Sequence, residues 1–216
     1  EPIRAATLHR FIDRFSSVGF SPRAFYPCYG LAECTLIASG AVRRKGHVEN
    51  SFPSGTGTNK TLVSSGKAVP GGTLVIADPA NQFQLSDQQV GEIWIGGPHV
   101  AAGYWNDVEK TAETFGAHLP DGQGPFLRTG DLVFMSDGEL YVTGRIKDLI
   151  IIRGRNIYPQ DVELCGELSD DSIAPSRGAA FSVDRNDEER LVVLHEIERN
   201  RTGQIDYPAT IARIRK

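Results

Sequence analysis

The chain has 216 residues, of which 40% are hydrophobic and 23% are charged, a composition typical of one or two globular domains. The formal net charge of -4 provides no basic field for nucleic acid or for an anionic membrane surface. The longest strongly apolar run, residues 149–152, is far shorter than the roughly 18–20 residues that a membrane-spanning helix requires. We therefore expect a cytoplasmic protein that spans no membrane and binds no nucleic acid.

The sulfur and imidazole groups form no recognisable metal or catalytic pattern. No CxxC occurs, and we expect free buried thiols at the cysteines, which are Cys28, Cys34 and Cys165. The histidines are scattered, and we expect surface or structural roles for all of them: His9, His47, His99, His118 and His195.

The first part of the chain predicts a helix followed by loops. Residues 7–15 carry apolar side chains at helical spacing, and Gly19 ends this pattern. A second apolar segment, residues 31–38, follows a tight turn at residues 29–30. Residues 46–57 are rich in Ser, Gly, Thr and Asn, which favours a loop.

The middle of the chain is rich in β-branched residues and predicts a β subdomain with a helical insertion. Short strands are expected at residues 73–77, 91–96 and 139–143, because each run is bounded by turn residues. Residues 108–115 have helical spacing.

The last part predicts a small lobe of helices and strands. A strand at residues 149–152 precedes a helix that opens at residues 158–163, and two further strands are expected at 178–183 and 191–197. A final helix starts at Tyr207, and its pattern is expected to continue past Lys216.

The segment YPCYGLAE, residues 26–33, has the residue types of a nucleotide-phosphate site. An aromatic ring such as Tyr29 beside the glycine turn at Gly30 can lie on a flat base while the backbone approaches a phosphate. Glu33, four residues later, offers the hard oxygen that Mg²⁺ prefers. Taken alone, an ordinary loop leading into a helix is the simpler explanation of this segment.

The segment FLRTGDL, residues 126–132, places Asp131 directly after a glycine. A carboxylate fixed after a glycine turn can accept hydrogen bonds from both hydroxyls of a ribose. A solvated turn aspartate remains the simpler alternative for this segment on its own.

The segment GRIKDLIIIRGRNIYPQDVE, residues 144–163, is harder to explain by folding alone. The fold accounts for its apolar strand and its Pro-led helix, but not for Arg145, Lys147 and the Arg-Gly-Arg loop at residues 153–155.

Four motifs occur in a fixed order: YGLAE, GEIWIGGPHVAAGYW, RTGDL and GRIKDLIIIRGRNIYPQDVE. Together they resemble the adenylate-forming superfamily of acyl-CoA synthetases, luciferases and peptide-synthetase adenylation domains. Within it, YPCYGLAECTL, FLRTGDL and RGRNIYPQDVE are most similar to the fatty acyl-AMP ligases. The resemblance covers nearly the whole chain, residues 2–214.

The resemblance implies a chain of mixed α/β and α+β class that forms the C-terminal part of an adenylate-forming enzyme. Residues 1–147 would be the end of the large N-terminal domain, with a β-rich subdomain built as a distorted barrel. Residues 148–216 would be a small, mobile α+β lobe, truncated in its last helix.

The resemblance also implies site roles in the large domain. Tyr29 would stack on adenine beside Gly30, and Glu33 would help to position Mg²⁺. Asp131 would bind the ribose hydroxyls, and Arg145 would reach the ribose and the phosphates.

Three further roles are implied nearer the lobe. Phe134 would add an apolar wall near the base. Lys147 would lie at the hinge about which the lobe swivels between two half-reactions, and Gly154 would border the pantetheine path.

The implied reaction joins a fatty acid to AMP from Mg-ATP and then transfers the acyl group to an acyl carrier protein or a polyketide or peptide synthase module. Ala32 stands where the wider superfamily usually has Thr, which agrees with the acyl-AMP ligases. The phosphate loop and the C-terminal catalytic lysine of the family are expected outside this chain, so we expect the chain alone to be inactive. The alternatives are a fatty acyl-CoA synthetase, a peptide-synthetase adenylation domain and a non-catalytic nucleotide-binding or scaffolding module.

Overall fold

The computed structural model describes residues 2–53, 59–152, 155–185, 188–201, 203 and 205–215. The described residues divide into two compact units, one ending at Ile146 and the other starting at Lys147. The chain is mixed α and β with strands in the majority, as the sequence predicts. No helix in these described ranges is long and apolar enough to cross a membrane.

The first unit holds two helices and a larger number of strands. The helices are α1 (Ala5–Phe15) and α2 (Val108–Phe115). The strands are β1 (Cys28–Tyr29), β2 (Ser39–Gly40), β3 (Glu49–Pro53), β4 (Asn59–Val63), β5 (Lys67–Ala68), β6 (Thr73–Ala77), β7 (Gly91–Gly96), β8 (Leu127–Ser136) and β9 (Glu139–Arg145). The bounds of α2, β6 and β7 are those that the sequence predicts.

An antiparallel sheet with the order β6-β7-β8-β9 forms the centre of the first unit. Every residue of its strand β7 is buried, so both faces of this strand are covered. Successive side chains of a strand point to opposite sides, and those of β7 therefore join two different apolar clusters. Ile93 and Ile95 join one apolar cluster, which also contains Cys34 and Leu140, and Trp94 joins the cluster on the other face. The remaining strands form the sheet β1-β2-β5 and the hairpin β3-β4.

Two sequence predictions in this unit are wrong. Part of the expected loop at residues 46–57 is strand β3, which pairs with β4 and stacks Phe52 on the buried ring of Phe134. Cross-strand pairing and ring burial therefore outweigh the loop-like local composition. The glycine turn expected before Asp131 lies inside the long strand β8, where a register shift between Leu132 and Val133 interrupts the pairing with β9.

The expectation of buried thiols holds for one cysteine only. Cys34 is fully buried and donates to the Leu31 carbonyl oxygen, whereas Cys28 and Cys165 are exposed. All of them are free. Burial is the main cause that raises the pKa of the Cys34 thiol, so this sulfur behaves as an apolar core group.

In its described residues, the second unit contains two antiparallel strand pairs and two helices. Its elements are β10 (Ile150–Ile152), β11 (Arg155–Ile157), α3 (Pro159–Leu168), β12 (Ile173–Arg185), β13 (Glu188–Ile197) and α4 (Tyr207–Ile214). Strand β10 pairs with β11, β12 pairs with β13, and α3 packs against the longer hairpin. A 3-10 turn, Ile146–Asp148, lies at the boundary between the units.

Asp170 fastens α4 to the segment that follows α3. Its carboxylate accepts hydrogen bonds from the Thr210 hydroxyl and the Arg213 guanidinium, both on α4, and from the backbone and hydroxyl of Ser172. These donors, Arg213 first, hold the pKa of the Asp170 carboxyl well below its usual range. The charged form is therefore the form that stabilises the second unit.

Replacing Asp170 with Asn is expected to lower the stability of the second unit at pH 7 by about 2 kcal/mol, since charge-assisted hydrogen bonds are lost. Because the folded-state pKa is depressed, this stabilisation is present above about pH 4 and is lost as the pH falls further. The free energy of unfolding is measured by denaturant titration followed by far-UV circular dichroism. The difference in this free energy between wild type and variant should become smaller towards pH 2–3. The control is Asp171→Asn, the same change at the exposed neighbouring residue. A stability difference between wild type and Asp170→Asn that stays constant with pH would contradict the prediction.

Candidate functional site

Asp131 is the centre of a cluster that joins distant parts of the first unit. The pairing of β8 with β9 sets Asp131 opposite Arg145, whose Nε donates to Asp131 Oδ1 at 2.6 Å. The hydroxyl of Tyr29, which is 102 positions away in the chain, donates to Asp131 Oδ2 at 2.7 Å. The structure thus brings together three of the residues that the sequence predicts for the site.

The ionisation of these groups suits a binding site for hydroxyls. Burial, and then the negative charge of Asp131, raise the pKa of the Tyr29 phenol far above its usual range, so Tyr29 is a neutral donor at any physiological pH. Each carboxylate oxygen can accept two hydrogen bonds, so Asp131 retains acceptor capacity beyond Tyr29 and Arg145. The Arg145 side chain is 47% exposed and the Asp131 side chain 13%, which leaves the cluster open on the arginine side.

Gly30 allows the chain to pack closely just after Tyr29. A Cβ at position 30 would lie 1.7 Å from the backbone oxygen of Leu36, so no side chain fits there. The following residues form a 3-10 turn, Ala32–Cys34, which buries Cys34 and leaves Glu33 half-buried. Gly30 is therefore required for the backbone that carries both Tyr29 and Glu33.

Glu33 is oriented by a residue that the sequence reasoning did not single out. The hydroxyl of Tyr104 donates to Glu33 Oε1 at 2.7 Å, and the Ala101 backbone N–H donates to the Glu33 carbonyl oxygen at 2.8 Å. Burial, followed by this hydrogen bond, raises the pKa of Tyr104. Tyr104 lies in the GEIWIGGPHVAAGYW motif, and its ring packs edge-on against Phe115 of α2 at 5.2 Å.

The Glu33 carboxylate fits a magnesium ion. Mg²⁺ is commonly held by one or two carboxylates together with substrate phosphates and water. Within the described ranges, the hydrogen bond from Tyr104 engages Oε1, so Oε2 can serve as the ligand. The role of Glu33 as a magnesium ligand stays a prediction.

A buried ion pair next to the Asp131 segment was also not predicted from the sequence. Glu92 of β7 has a side chain only 2% exposed, and Arg128 of β8 donates to it from Nη2 at 2.7 Å and from Nε at 3.1 Å. The Gly130 backbone N–H donates to the other Glu92 oxygen at 3.0 Å. The signal that could have predicted this pair is the single glutamate inside the otherwise apolar strand GEIWIG. A buried carboxylate needs a partner, so this glutamate indicates a nearby cationic side chain.

Thr129 completes this support for Asp131. Its hydroxyl donates to the Ile93 carbonyl oxygen at 2.8 Å and accepts the Asp131 backbone N–H at 3.0 Å. The intervening Gly130 has a positive φ of 70°, a conformation that suits glycine. Arg128, Thr129 and the Gly130 N–H therefore anchor the RTGD segment to β7, and the Thr129 hydroxyl positions the backbone of Asp131.

The other predicted site residues are not part of this cluster. Phe134 is 1% exposed and stacked between Phe52 and Tyr141, with ring centroids 4.5 and 5.0 Å away. Its ring packs in the interior of the first unit, and its expected role as an apolar wall near the base stays a prediction. Lys147 is exposed in the 3-10 turn at the boundary between the units, and Gly154 lies outside the described residues.

These features define a class of protein. A neutral phenol, a guanidinium and a carboxylate with remaining acceptor capacity suit a sugar with neighbouring hydroxyls and an anionic group. A second, half-buried carboxylate suits a cation that accompanies phosphates. The site therefore suits a nucleotide bound together with a cation, on a fold of mixed α and β structure.

Comparison with known proteins agrees with this class. Residues 1–105 match the family described as AMP-binding enzyme. The chain is 43% identical to the medium-chain fatty acid–acyl-carrier-protein ligase JamA of Moorena producens, over 100% of this chain and 39% of that protein. It is 39% identical to the long-chain fatty acid–AMP ligase FadD26 of Mycobacterium tuberculosis, over 92% of this chain and 36% of that protein.

A solved structure shows the same relationship. A structure from work on fatty acyl-adenylate ligases of E. coli and L. pneumophila is 37% identical, with a TM-score of 0.81 over 100% of this chain and 40% of that one. The chain thus spans about two fifths of the length of the proteins it matches. The match to the AMP-binding enzymes covers residues 1–105, and the fold of the chain is that of part of an adenylate-forming enzyme.

Proposed function

We propose that the protein containing this chain is a fatty acyl-AMP ligase. A fatty acid carboxylate attacks the α-phosphorus of ATP, the bond to pyrophosphate breaks, and acyl-AMP forms. The thiol of a phosphopantetheine on an acyl carrier protein, or on a synthase module, then attacks the acyl carbon and AMP leaves. The hydrogen-bonded cluster of Tyr29, Asp131 and Arg145 is the single observation that carries this proposal.

The residues act by electrostatics and position. The reaction needs charge stabilisation around phosphorus and no protein nucleophile, so donors and cations suffice. Asp131 accepts the ribose hydroxyls, and Arg145, paired to it, extends towards the ribose and phosphates. Tyr29 holds Asp131 through its hydroxyl, and its ring is proposed to stack on the adenine.

Glu33 is the proposed ligand for the magnesium ion that accompanies ATP. When bound, this ion neutralises phosphate charge. Tyr104 keeps the Glu33 carboxylate in one orientation through the 2.7 Å hydrogen bond.

The domain division and the transfer step remain proposals. Residues 1–147 are taken as the end of the large domain and 148–216 as a mobile lobe, with Lys147 at the hinge and Gly154 beside the pantetheine path. Rotation of such a lobe is a common way for one site to serve two half-reactions. A cytoplasmic location is likewise a prediction.

The test is a product assay on the full-length protein. It is incubated with ATP, Mg²⁺, a medium- or long-chain fatty acid, CoA and a holo acyl carrier protein, and products are identified by mass spectrometry. Acyl-AMP and acylated carrier are expected, with apo carrier as the control because it lacks the thiol. Acyl-CoA as the main product would instead identify a CoA synthetase, which uses the same phosphopantetheine chemistry. No acyl-adenylate at all would overturn the proposed function.

A further inference from the structure

Three metal-binding side chains converge on one point of the first unit, and none of them belongs to the nucleotide site. His9 lies on α1, His47 lies just before β3, and Glu49 is the first residue of β3. The Nε2 atoms of His9 and His47 lie 2.6 and 2.8 Å from the same atom, Glu49 Oε1. The candidate ligand atoms of the three residues all lie within 4.8 Å of one another.

The local structure explains this convergence. His47 and Glu49 are two positions apart at the start of a strand, so their side chains share one face. The third residue, His9, comes from α1, which packs beside β4, the partner strand of β3. The convergence therefore depends on tertiary packing over 40 positions of sequence.

An aromatic cluster fixes the orientation of this face. Phe11 of α1 packs edge-on against Phe20 and Phe25, with ring centroids 4.9 and 5.8 Å away. Phe25 in turn packs edge-on against the ring of His47 at 5.8 Å. The same apolar contacts that hold α1 thus also orient the imidazole of His47.

The chemistry of the group matches zinc. Two imidazole nitrogens and one carboxylate oxygen form a three-residue set that zinc uses with water as a fourth ligand. Exposure increases across the group, from 12% for the His47 side chain to 28% for Glu49 and 55% for His9. The His47 side of the group is therefore well packed. The His9 side is open to water, so the His9 side chain can move.

We propose that His9, His47 and Glu49 form a zinc site that fastens α1 to the start of β3. The hydrogen-bonded arrangement converts to a liganded one when each ring carries its proton on Nδ1 and presents the Nε2 lone pair to the ion. Zinc–ligand bonds of about 2.0–2.2 Å require only small side-chain movements from the present separations. The ion would stabilise the folded state, because the unfolded chain does not hold these ligands together.

The site is tested with zinc alone on the tag-free, EDTA-treated 216-residue chain. Isothermal titration is expected to give one equivalent of bound Zn²⁺, and cobalt substitution is expected to give a visible spectrum with nitrogen ligation. At a free Zn²⁺ concentration about 100 times the dissociation constant, the melting temperature should rise by roughly 5–10 °C.

Matched variants separate this site from other histidines and acids. His9→Gln and Glu49→Gln preserve polar side chains at exposed positions. Each is expected to weaken zinc binding by at least about 10-fold, since loss of an outer-shell partner alone typically costs that much. His118→Gln and Glu109→Gln, at exposed positions outside both sites, are expected to bind zinc as wild type does. No zinc binding by the wild-type chain, or unchanged binding in both His9→Gln and Glu49→Gln, would overturn the proposal. The cobalt spectrum of the wild-type chain shows whether nitrogen ligands bind the metal, and this test does not depend on the folding of any variant.

Discussion

Replacing Asp131 with Asn is expected to weaken AMP binding by the full-length enzyme by about 100-fold and to lower adenylate formation at least as much. An amide can no longer accept hydrogen bonds on both atoms, and hydrogen bonds to a charged acceptor are worth about 1.5–3 kcal/mol each. The new NH₂ group would also face a donor, either the Tyr29 hydroxyl or the Arg145 guanidinium. Nucleotide binding by calorimetry and fatty acid-dependent pyrophosphate release measure the two effects.

Asp137→Asn is the matched control for this prediction. Asp137 lies on the same β8–β9 hairpin, at its exposed turn, with a φ of 54° that Asn also accepts well. The same chemical change there should leave nucleotide binding unchanged. Wild-type AMP affinity in a folded Asp131→Asn protein would remove Asp131 from the proposed site.

Replacing Arg128 with Met is expected to lower the free energy of unfolding of the first unit by about 3–5 kcal/mol. The change leaves the buried Glu92 carboxylate with the Gly130 N–H as its remaining donor in the described structure. Glu92→Gln should cost less, about 1–3 kcal/mol, because Gln still accepts hydrogen bonds. Arg128 itself is 34% exposed and lies over the Trp94 ring at 5.5 Å, so it tolerates the loss of its partner better.

Urea unfolding followed by tryptophan fluorescence measures this difference, since both tryptophans, Trp94 and Trp105, lie in the first unit. Lys110→Met is the control, because Lys110 forms an exposed ion pair with Glu113 and its loss should change stability by less than about 1 kcal/mol. The double variant Glu92→Met with Arg128→Met should recover part of the lost stability, as apolar replacements of buried pairs often do. Equal effects of Arg128→Met and Lys110→Met would show that the buried pair does not support β8.

The sequence predicted the elements whose signals are local. Residues Val108–Phe115 carry helical spacing within one segment. Gly91–Gly96 is a short segment rich in β-branched residues and bounded by glycines. The predicted bounds of both elements therefore agree with the structure. The strand β8 was missed because Thr-Gly-Asp has the local composition of a turn. Its extended form depends on pairing with β7 and β9, including the Glu92–Arg128 ion pair, which a local pattern does not contain.

For the site, the ordered motifs identified the adenylate-forming family and named Tyr29, Glu33, Asp131 and Arg145. Motif spacing alone did not predict that Tyr29 donates to Asp131, that Tyr104 orients Glu33, or that His9 meets His47 and Glu49. Nor did it predict that Phe134 is buried between two aromatic rings.

The sequence by itself thus determined the family, the helices and strands with strong local periodicity, and the residue types available for nucleotide chemistry. The tertiary structure decided which of those side chains meet, because contacts across 40 to 102 positions depend on strand register and packing that no short segment encodes. It also decided which groups are buried, and burial determines whether a phenol stays neutral, a carboxylate needs a partner, or a ring serves only to pack.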